Sequence, residues 1–155
     1  MRWSAAWVFG AVVAPVAAQS PAPSIGVAAV LVAGDWTFAG LGPEFTVPLG
    51  ADPSLTGRVV AGRHRGSWAA RGEATFEYRI PAARAARRRW YLAGGFAVVS
   101  GVRGGPFLQL GVGLDFRRSR QAGPFVELGV GGGFRTALGV RAEPTTQTAA
   151  QIGRP

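Results

Sequence analysis

Residues 106–141, PFLQLGVGLDFRRSRQAGPFVELGVGGGFRTALGVR, contain two runs in which apolar side chains recur at every second position. The first run has its apolar residues on even numbers: Leu108, Leu110, Val112, Leu114 and Phe116. The second run keeps the same parity: Val126, Leu128, Val130, Phe134, Leu138 and Val140. Because successive side chains of a β-strand point to opposite faces, each run has one apolar face and one face of glycine and charge. The stretch therefore predicts β structure with two very different surfaces.

Five further segments of the chain carry strand signals, and short turn signals rich in glycine, proline or charge separate them. These segments are residues 25–33, 36–49, 55–65, 68–80 and 90–100. With the two runs above they make seven strands, which predicts an antiparallel up-and-down meander. Closed single-chain barrels take an even number of strands, so a bend at the three glycines 131–133 would supply an eighth, or the 36–49 region would supply it, or the domain is incomplete.

The composition excludes several classes of chemistry. The chain has 155 residues, 24 glycines and no cysteine, so helices are disfavoured, and disulfides and thiolate metal sites are impossible. One histidine, His64, cannot build a three-histidine metal site, and we predict neither a metal nor a cofactor. All basic residues other than His64 are arginines, which give the net charge of +9 and are scattered along strands and turns apart from one cluster at 84–89. Because the leader described below sends the protein where nucleic acid is scarce, we predict no nucleic-acid partner.

The chain is predicted to divide into four parts. Residues 1–18, MRWSAAWVFGAVVAPVAA, have one arginine, an apolar stretch and small residues at the end, as in a secretory signal peptide. Residues 19–24 contain two prolines and predict a spacer. Residues 25–142 form the β-barrel domain, and residues 143–155 form a polar C-terminal tail. The signal peptide predicts export from the cytoplasm.

Two interpretations fit an exported, alternating meander: a soluble sandwich or lipocalin-like module with the apolar face inside, and a membrane barrel with that face in lipid. The non-apolar face carries many small residues and few charges, which suits a narrow lumen better than a wet surface. Its charges have both signs and can pair across that lumen. Aromatic residues near strand ends suggest an interfacial girdle: Trp36, Trp68, Trp90, Tyr91, Phe107 and Phe125. We therefore favour an all-β transmembrane barrel of about eight strands.

Three phrases carry a family resemblance: WYLAGGF at 90–96, FLQLGVGLDF at 107–116 and FVELGVGGGF at 125–134. Together they resemble the strands of small outer-membrane β-barrel domains of Gram-negative bacteria, the OmpA/OmpW-like class, in which an aromatic residue, a polar residue and G-x-G recur. The resemblance implies eight strands, insertion by the barrel-assembly machinery, outer-membrane lipid as the surroundings, and a structural, adhesive or narrow-pore role. We predict a structural or narrow-pore role without catalysis.

Two groups of charged residues are the candidate sites. The first is a polar network predicted to line the lumen: Glu73, Glu77, Arg79, Asp115, Arg117, Glu127 and Arg135. The second is a basic turn that could contact the phosphates of lipopolysaccharide or the carboxylates of peptidoglycan: Arg84, Arg87, Arg88 and Arg89.

Two other functions compete with a structural barrel in the outer membrane. The first is a periplasmic β-sandwich or lipocalin-like module that encloses an apolar ligand. The second is an outer-membrane lipid hydrolase that uses His64 with Ser67 and the acids Glu73 and Glu77. His64 and Ser67 are three residues apart, which in a continuous strand would put them on opposite faces.

Overall fold

A computed structural model of the chain describes residues 22–34, 37–81, 88–100, 106–116 and 122–143. Eight β-strands occupy these ranges: β1 Ser24–Ala33, β2 Phe38–Pro48, β3 Pro53–His64, β4 Ser67–Arg79, β5 Arg89–Val99, β6 Phe107–Asp115, β7 Gly123–Val130 and β8 Phe134–Ala142. Each strand pairs antiparallel with the next, and β8 pairs with β1, so the sheet closes into a barrel. The predicted eight-stranded antiparallel barrel is confirmed.

Several predicted features fall outside the described residues. They are the signal peptide at 1–18, the first half of the spacer (19–21), Trp36, and the tail from residue 144 onward. The first strand begins at Ser24, one residue earlier than predicted, and the last strand ends at Ala142. Within the ranges that the structure describes, no helix is long and apolar enough to cross a bilayer.

The second alternating run, which the sequence analysis counts as one strand, is two strands joined by three glycines. The amide of Gly131 donates a hydrogen bond to the carbonyl oxygen of Gly133 at 2.9 Å. Gly132 and Gly133 have φ angles of 75° and 144°, which residues with a side chain rarely adopt. These residues reverse the chain between β7 and β8, so the count of seven strands was one too few.

The apolar faces of the strands point away from the barrel axis. Leu110, Leu128 and Phe134 are about half exposed on the outer surface, as are most other large apolar residues of the strands. The alternate residues Gln109, Glu127 and Arg135 are buried inside. An arrangement in which the apolar face encloses a ligand is therefore wrong for this chain.

The register of the strands sets their inclination. A path of paired residues that starts at Ala33 passes through Phe134, Val130, Leu110, Gly94, Phe76, Leu55 and Val47. Continuing the register of Ser24 with Thr46 by one residue puts Val47 beside Pro23, ten residues before Ala33. Ten residues correspond to a stagger of about 33 Å along the strands, and eight strand spacings add up to about 38 Å around the barrel. The ratio of these two lengths means that the strands are inclined to the barrel axis by about 40°.

Aromatic side chains mark the limits of the outer apolar surface on β4. Trp68 and Tyr78 both face outward and are ten residues apart on this strand. At about 3.3 Å per residue and an inclination of about 40°, they are separated by roughly 25 Å along the barrel axis. This is the height of the apolar band of outer-membrane barrels, about 25 Å between its two aromatic girdles.

The two ends of the barrel differ. At one end of the barrel β1 connects to β2, β3 to β4, β5 to β6 and β7 to β8, and we call it the hairpin end. The opposite end carries the other three connections together with Ser24 and Ala142, and we call it the terminal end. Toward the hairpin end of β1 to β3, the interior contains a small apolar cluster that includes Val30, Phe38 and Val60. The remaining interior is polar and holds the candidate site.

Candidate functional site

Charged side chains fill the middle of the barrel. Among the residues that the structure describes, four arginines and four glutamates form one connected set of ion pairs, which we call the lumen network: Glu44, Arg58, Arg71, Glu73, Glu77, Glu127, Arg135 and Arg141. Each of these side chains is at most 5% exposed. They project from strands β2, β3, β4, β7 and β8, so the network connects opposite walls of the barrel.

Glu73 is the centre of this network because its carboxylate accepts hydrogen bonds from three arginines. Arg58 Nη1 donates to Oε2 at 2.6 Å, and Arg71 Nε donates to Oε1 at 2.7 Å. Arg135 donates through Nε at 2.9 Å and through Nη2 at 2.6 Å, a bidentate contact. Bidentate pairs fix geometry as well as charge, so Glu73 holds β3, β4 and β8 together from inside.

A second set of contacts lies toward the terminal end. Arg141 donates to both Glu77 oxygens, at 2.8 and 3.1 Å, and also donates to Glu44. Glu44 in turn accepts from Arg58, which also binds Glu73. The two sets are therefore one network, joined by Arg58.

The network has equal numbers of positive and negative groups, and this balance matters energetically. An isolated charge in a low-dielectric interior costs several kcal/mol, and close opposite charges with good hydrogen bonds offset that cost. The four arginines and four glutamates satisfy one another in this way. Removing one partner would leave its neighbours buried with an excess charge.

Two aromatic side chains complete the interior. The Tyr91 hydroxyl donates to Glu127 at 3.1 Å, and the Arg141 guanidinium lies 4.2 Å from the ring centroid of Phe125. A Cβ at Gly113 would lie 2.0 Å from Tyr91 Cζ, and one at Gly139 would lie 2.5 Å from Phe125 Cε1. These glycines leave the space that the rings occupy. The prediction that Tyr91 and Phe125 belong to the interfacial girdle was wrong, whereas Trp68 and Trp90 are exposed on the outer wall.

Neutral polar side chains occupy further interior positions of β2, β3, β4 and β6. Thr46 and Thr56 share a hydrogen bond of 2.9 Å, and Thr56 donates to Glu77 at 2.8 Å. The Gln109 amide nitrogen donates to Thr75 at 2.6 Å. These contacts fill the lumen around the ion pairs.

The structure brings four of the seven predicted lumen residues into the network: Glu73, Glu77, Glu127 and Arg135. Asp115 is buried on the inner face, opposite Arg89 in the register, and Arg79 is half-buried at the end of β4. Arg117 lies outside the described residues. Sequence reasoning missed four members of the network: Glu44, Arg58, Arg71 and Arg141.

The predicted basic turn is only partly described. Arg84 and Arg87 fall outside the described residues. Arg88 is exposed, with its guanidinium 5.9 Å from the ring centroid of Phe116. Arg89 is the first residue of β5 and is half-buried, so it belongs to the barrel wall.

His64 lies at the hairpin end. Its Nδ1 hydrogen bonds with the carbonyl oxygen of Thr37 at 2.9 Å. His64 and Ser67 are register partners across a two-residue turn, but the acids proposed to act with them, Glu73 and Glu77, bind arginines of the network. Within the described ranges, no three potential ligands are grouped to hold a metal ion.

Comparison with known proteins identifies the architecture. No protein-family model matches the chain, and no curated protein matches it. A de novo designed transmembrane β-barrel superposes with a TM-score of 0.60 at 15% identity, covering 81% of this chain and 97% of the design. The N-terminal β-barrel domain of OprF from Pseudomonas aeruginosa gives a TM-score of 0.58 at 15% identity, covering 80% and 98%.

A second designed transmembrane barrel, TMB2.3, solved in solution by NMR, gives a TM-score of 0.57 at 14% identity and covers 84% of this chain and 99% of the design. At such identities the likeness concerns the fold alone. The closed strand order, the apolar outer wall and the charged interior agree with it. This chain has the fold of a small transmembrane β-barrel of the outer-membrane type.

Proposed function

We propose that the protein is exported and resides in the outer membrane as a structural barrel without catalytic activity. The observation that carries this proposal is the reversed distribution of its residues, with ion pairs inside and large apolar side chains outside. A continuous apolar wall of this kind is an aggregation liability in water, whereas hydrocarbon is a favourable environment for it. The predicted signal peptide at 1–18 supports export.

A filled lumen favours a structural role over a narrow pore. The Arg58, Glu73 and Arg135 side chains meet across the middle of the barrel, and Phe38 and Val60 pack inside toward the hairpin end. An ion that passed through would have to displace these contacts. Eight-stranded barrels in general have an interior just wide enough for side chains to fill.

The proposed role needs no reactive group. The carboxylates of Glu73 and Glu77 are bound by arginines, which leaves them poorly placed to orient His64 for nucleophilic catalysis. We also propose that the barrel-assembly machinery inserts the protein, and that the basic turn at Arg84, Arg87 and Arg88 contacts anionic envelope components.

Fractionation and ion leakage test this proposal together. The protein is expected in the outer-membrane fraction, with heat-modifiable gel migration as the sign of a closed barrel. Vesicles that contain the folded protein are expected to leak small ions no faster than protein-free vesicles, because the lumen network blocks the path. Recovery in the soluble periplasm would contradict the membrane location, and steady stepwise conductance by the folded protein would contradict the filled lumen.

A further inference from the structure

One of the eight ladders that close the barrel is interrupted inside its length. The pairs of β2 with β3 stop at Leu41 with Ala61 and resume at Glu44 with Arg58. The two residues of β2 between these pairs have no partner on β3 in the register. The seven other ladders of the described strands continue without a gap. We call this place the β2–β3 break.

The two residues at the break are Gly42 and Pro43. Pro43 lies in the middle of β2, and a proline nitrogen has no hydrogen to donate to a neighbouring strand. A Cβ at Gly42 would collide with the carbonyl oxygen of Val59, so the two backbones approach closely without pairing. Within a bilayer, no water can bind backbone groups that lack a ladder partner. The ladder between β2 and β3 is therefore weakened at this point.

The outer wall adds little contact between β2 and β3 beside the break. Pro43, Phe45, Gly57 and Val59 are among the residues that line an apolar groove on the outer surface. Phe45 is the register partner of Gly57, yet a Cβ at Gly57 would meet no atom within 4 Å. The Phe45 ring therefore does not pack over Gly57, and the two strands are held together mainly from inside.

Inside the barrel, Glu44 binds strands on both sides of β2. Glu44 and Arg58 form the first pair after the break, and Arg58 Nε donates to Glu44 Oε2 at 2.8 Å. On the other side, Gly26 of β1 has Glu44 and Arg141 as its two register partners. Arg141 donates to Glu44 across Gly26, where a Cβ would lie 3.3 Å from Arg141 Cγ. Glu44 therefore links β2 to β3 and, over β1, to β8.

Glu44 is the only member of the lumen network that the first hairpin, β1 and β2, contributes. Thr46 on β2 adds a neutral hydrogen bond with Thr56 on β3. The inner face of β1 carries no charge, and its residues are Ser24, Gly26, Ala28, Val30 and Val32. The other seven network residues lie on β3, β4, β7 and β8. The first hairpin is thus the part of the wall with the fewest ionic contacts.

From these contacts we propose that the first hairpin opens from β3 at the break as a unit of its own, and that Glu44, through Arg58, is the latch that keeps it closed. β1 remains paired with β8 through an unbroken ladder, which acts as the hinge. Folded proteins open locally at free energies below that of global unfolding, and segments with few strong contacts open first. This movement adds a conformational change to the structural role proposed above, and it requires only the closed barrel.

Hydrogen exchange measured by mass spectrometry on protein folded in lipid vesicles tests the latch. In the wild type, the amides of β2 are expected to exchange about tenfold faster than those of β4 and β5. Glu44→Gln is expected to accelerate exchange in β2 by roughly another tenfold, the equivalent of one hydrogen bond to a charged group. The matched control Glu127→Gln removes a carboxylate of the same network from β7, and it is expected to accelerate exchange in β7 but not in β2.

A second variant tests the break without touching the network. Pro43→Ala supplies the missing amide hydrogen and is expected to slow exchange in β2, and exchange as fast as in the wild type would overturn the proposal. Equal exchange of the β2 and β4 amides in the wild type would also overturn it. So would a Glu127→Gln variant that accelerates exchange in β2 as much as Glu44→Gln does. The same pattern is expected in detergent micelles, so this test stands even if the outer-membrane location fails.

Discussion

Replacing Glu73 with glutamine is expected to destabilise the folded barrel by about 3–5 kcal/mol, the usual cost of breaking a buried ion pair from one side. The carboxylate accepts hydrogen bonds from Arg58, Arg71 and Arg135, and all three remain buried after the substitution. The interior would then hold one more positive than negative group. Reversible denaturant unfolding from lipid vesicles measures the change in the free energy of unfolding.

Two comparisons make the Glu73 result specific. Glu143→Gln also removes a carboxylate, but Glu143 is only half-buried and lies at the terminal end of the barrel. This substitution is expected to lower the free energy of unfolding by less than about 1 kcal/mol. Combining Glu73→Gln with Arg135→Met restores the charge balance, so the double variant is expected to lose less stability than the sum of the single variants. A cost below about 1 kcal/mol for Glu73→Gln would contradict a network held together by buried charge.

Replacing Leu110 with arginine is expected to destabilise the barrel in a bilayer by about 2–4 kcal/mol, as for arginine at the lipid-facing midplane of other barrels. Leu110 is 56% exposed, near the middle of β6, with Gly94 and Val130 beside it on the outer wall. A guanidinium there would have to leave water for hydrocarbon. The same vesicle unfolding experiment measures this loss.

The control for Leu110→Arg places the same side chain outside the apolar band. Ser67 lies exposed at the hairpin end, beside the turn of β3 and β4, and Ser67→Arg is expected to change the unfolding free energy by less than about 0.5 kcal/mol. If Leu110→Arg left the unfolding free energy unchanged, or made the protein more soluble without detergent, the outer wall around Leu110 would face water. The membrane assignment would then be wrong.

The alternation of apolar residues predicted the outer face of β6, β7 and β8 but concealed one turn. Val130 and Phe134 are opposite each other across the three-glycine turn. Directly opposed residues of two strands lie on the same face, and an odd number of turn residues keeps both on even positions. The period therefore continues through 131–133 without a break, and only the glycines themselves mark the reversal.

Two of the four network residues missed from the sequence, Glu44 and Arg58, lie in strands with irregular alternation. The other two, Arg71 and Arg141, have the odd parity of the inward-facing residues on their strands, so the alternation could have placed them inside. In β3, Gly57 and Ala61 face outward and Val60 faces inward, so apolar character does not separate its two faces. The alternation of Ser54, Thr56 and Arg58 was nevertheless a usable signal for the inner face. In β2, Gly40 and Pro43 are poor strand formers, and they obscure the alternation of the strand that carries Glu44.

The inward aromatics had different signals. Phe125 shares its odd parity with Glu127, so the same alternation could have placed it inside. Tyr91 lies in a strand with apolar residues on both faces, and its position depends on the space at Gly113 on the neighbouring strand. Such a cross-strand relation becomes visible only when the register is known.

The most direct test of the outward apolar face is spin-label accessibility along β8 in bilayers. The chain has no cysteine, so single cysteines at 137, 138 and 140 can be labelled without background. Labels at Leu138 and Val140 are expected to be relaxed by oxygen and not by a water-soluble nickel complex, with low accessibility to both at Ala137. If the nickel complex relaxed the labels at 138 and 140 and oxygen did not, the result would contradict a barrel whose apolar side chains face lipid.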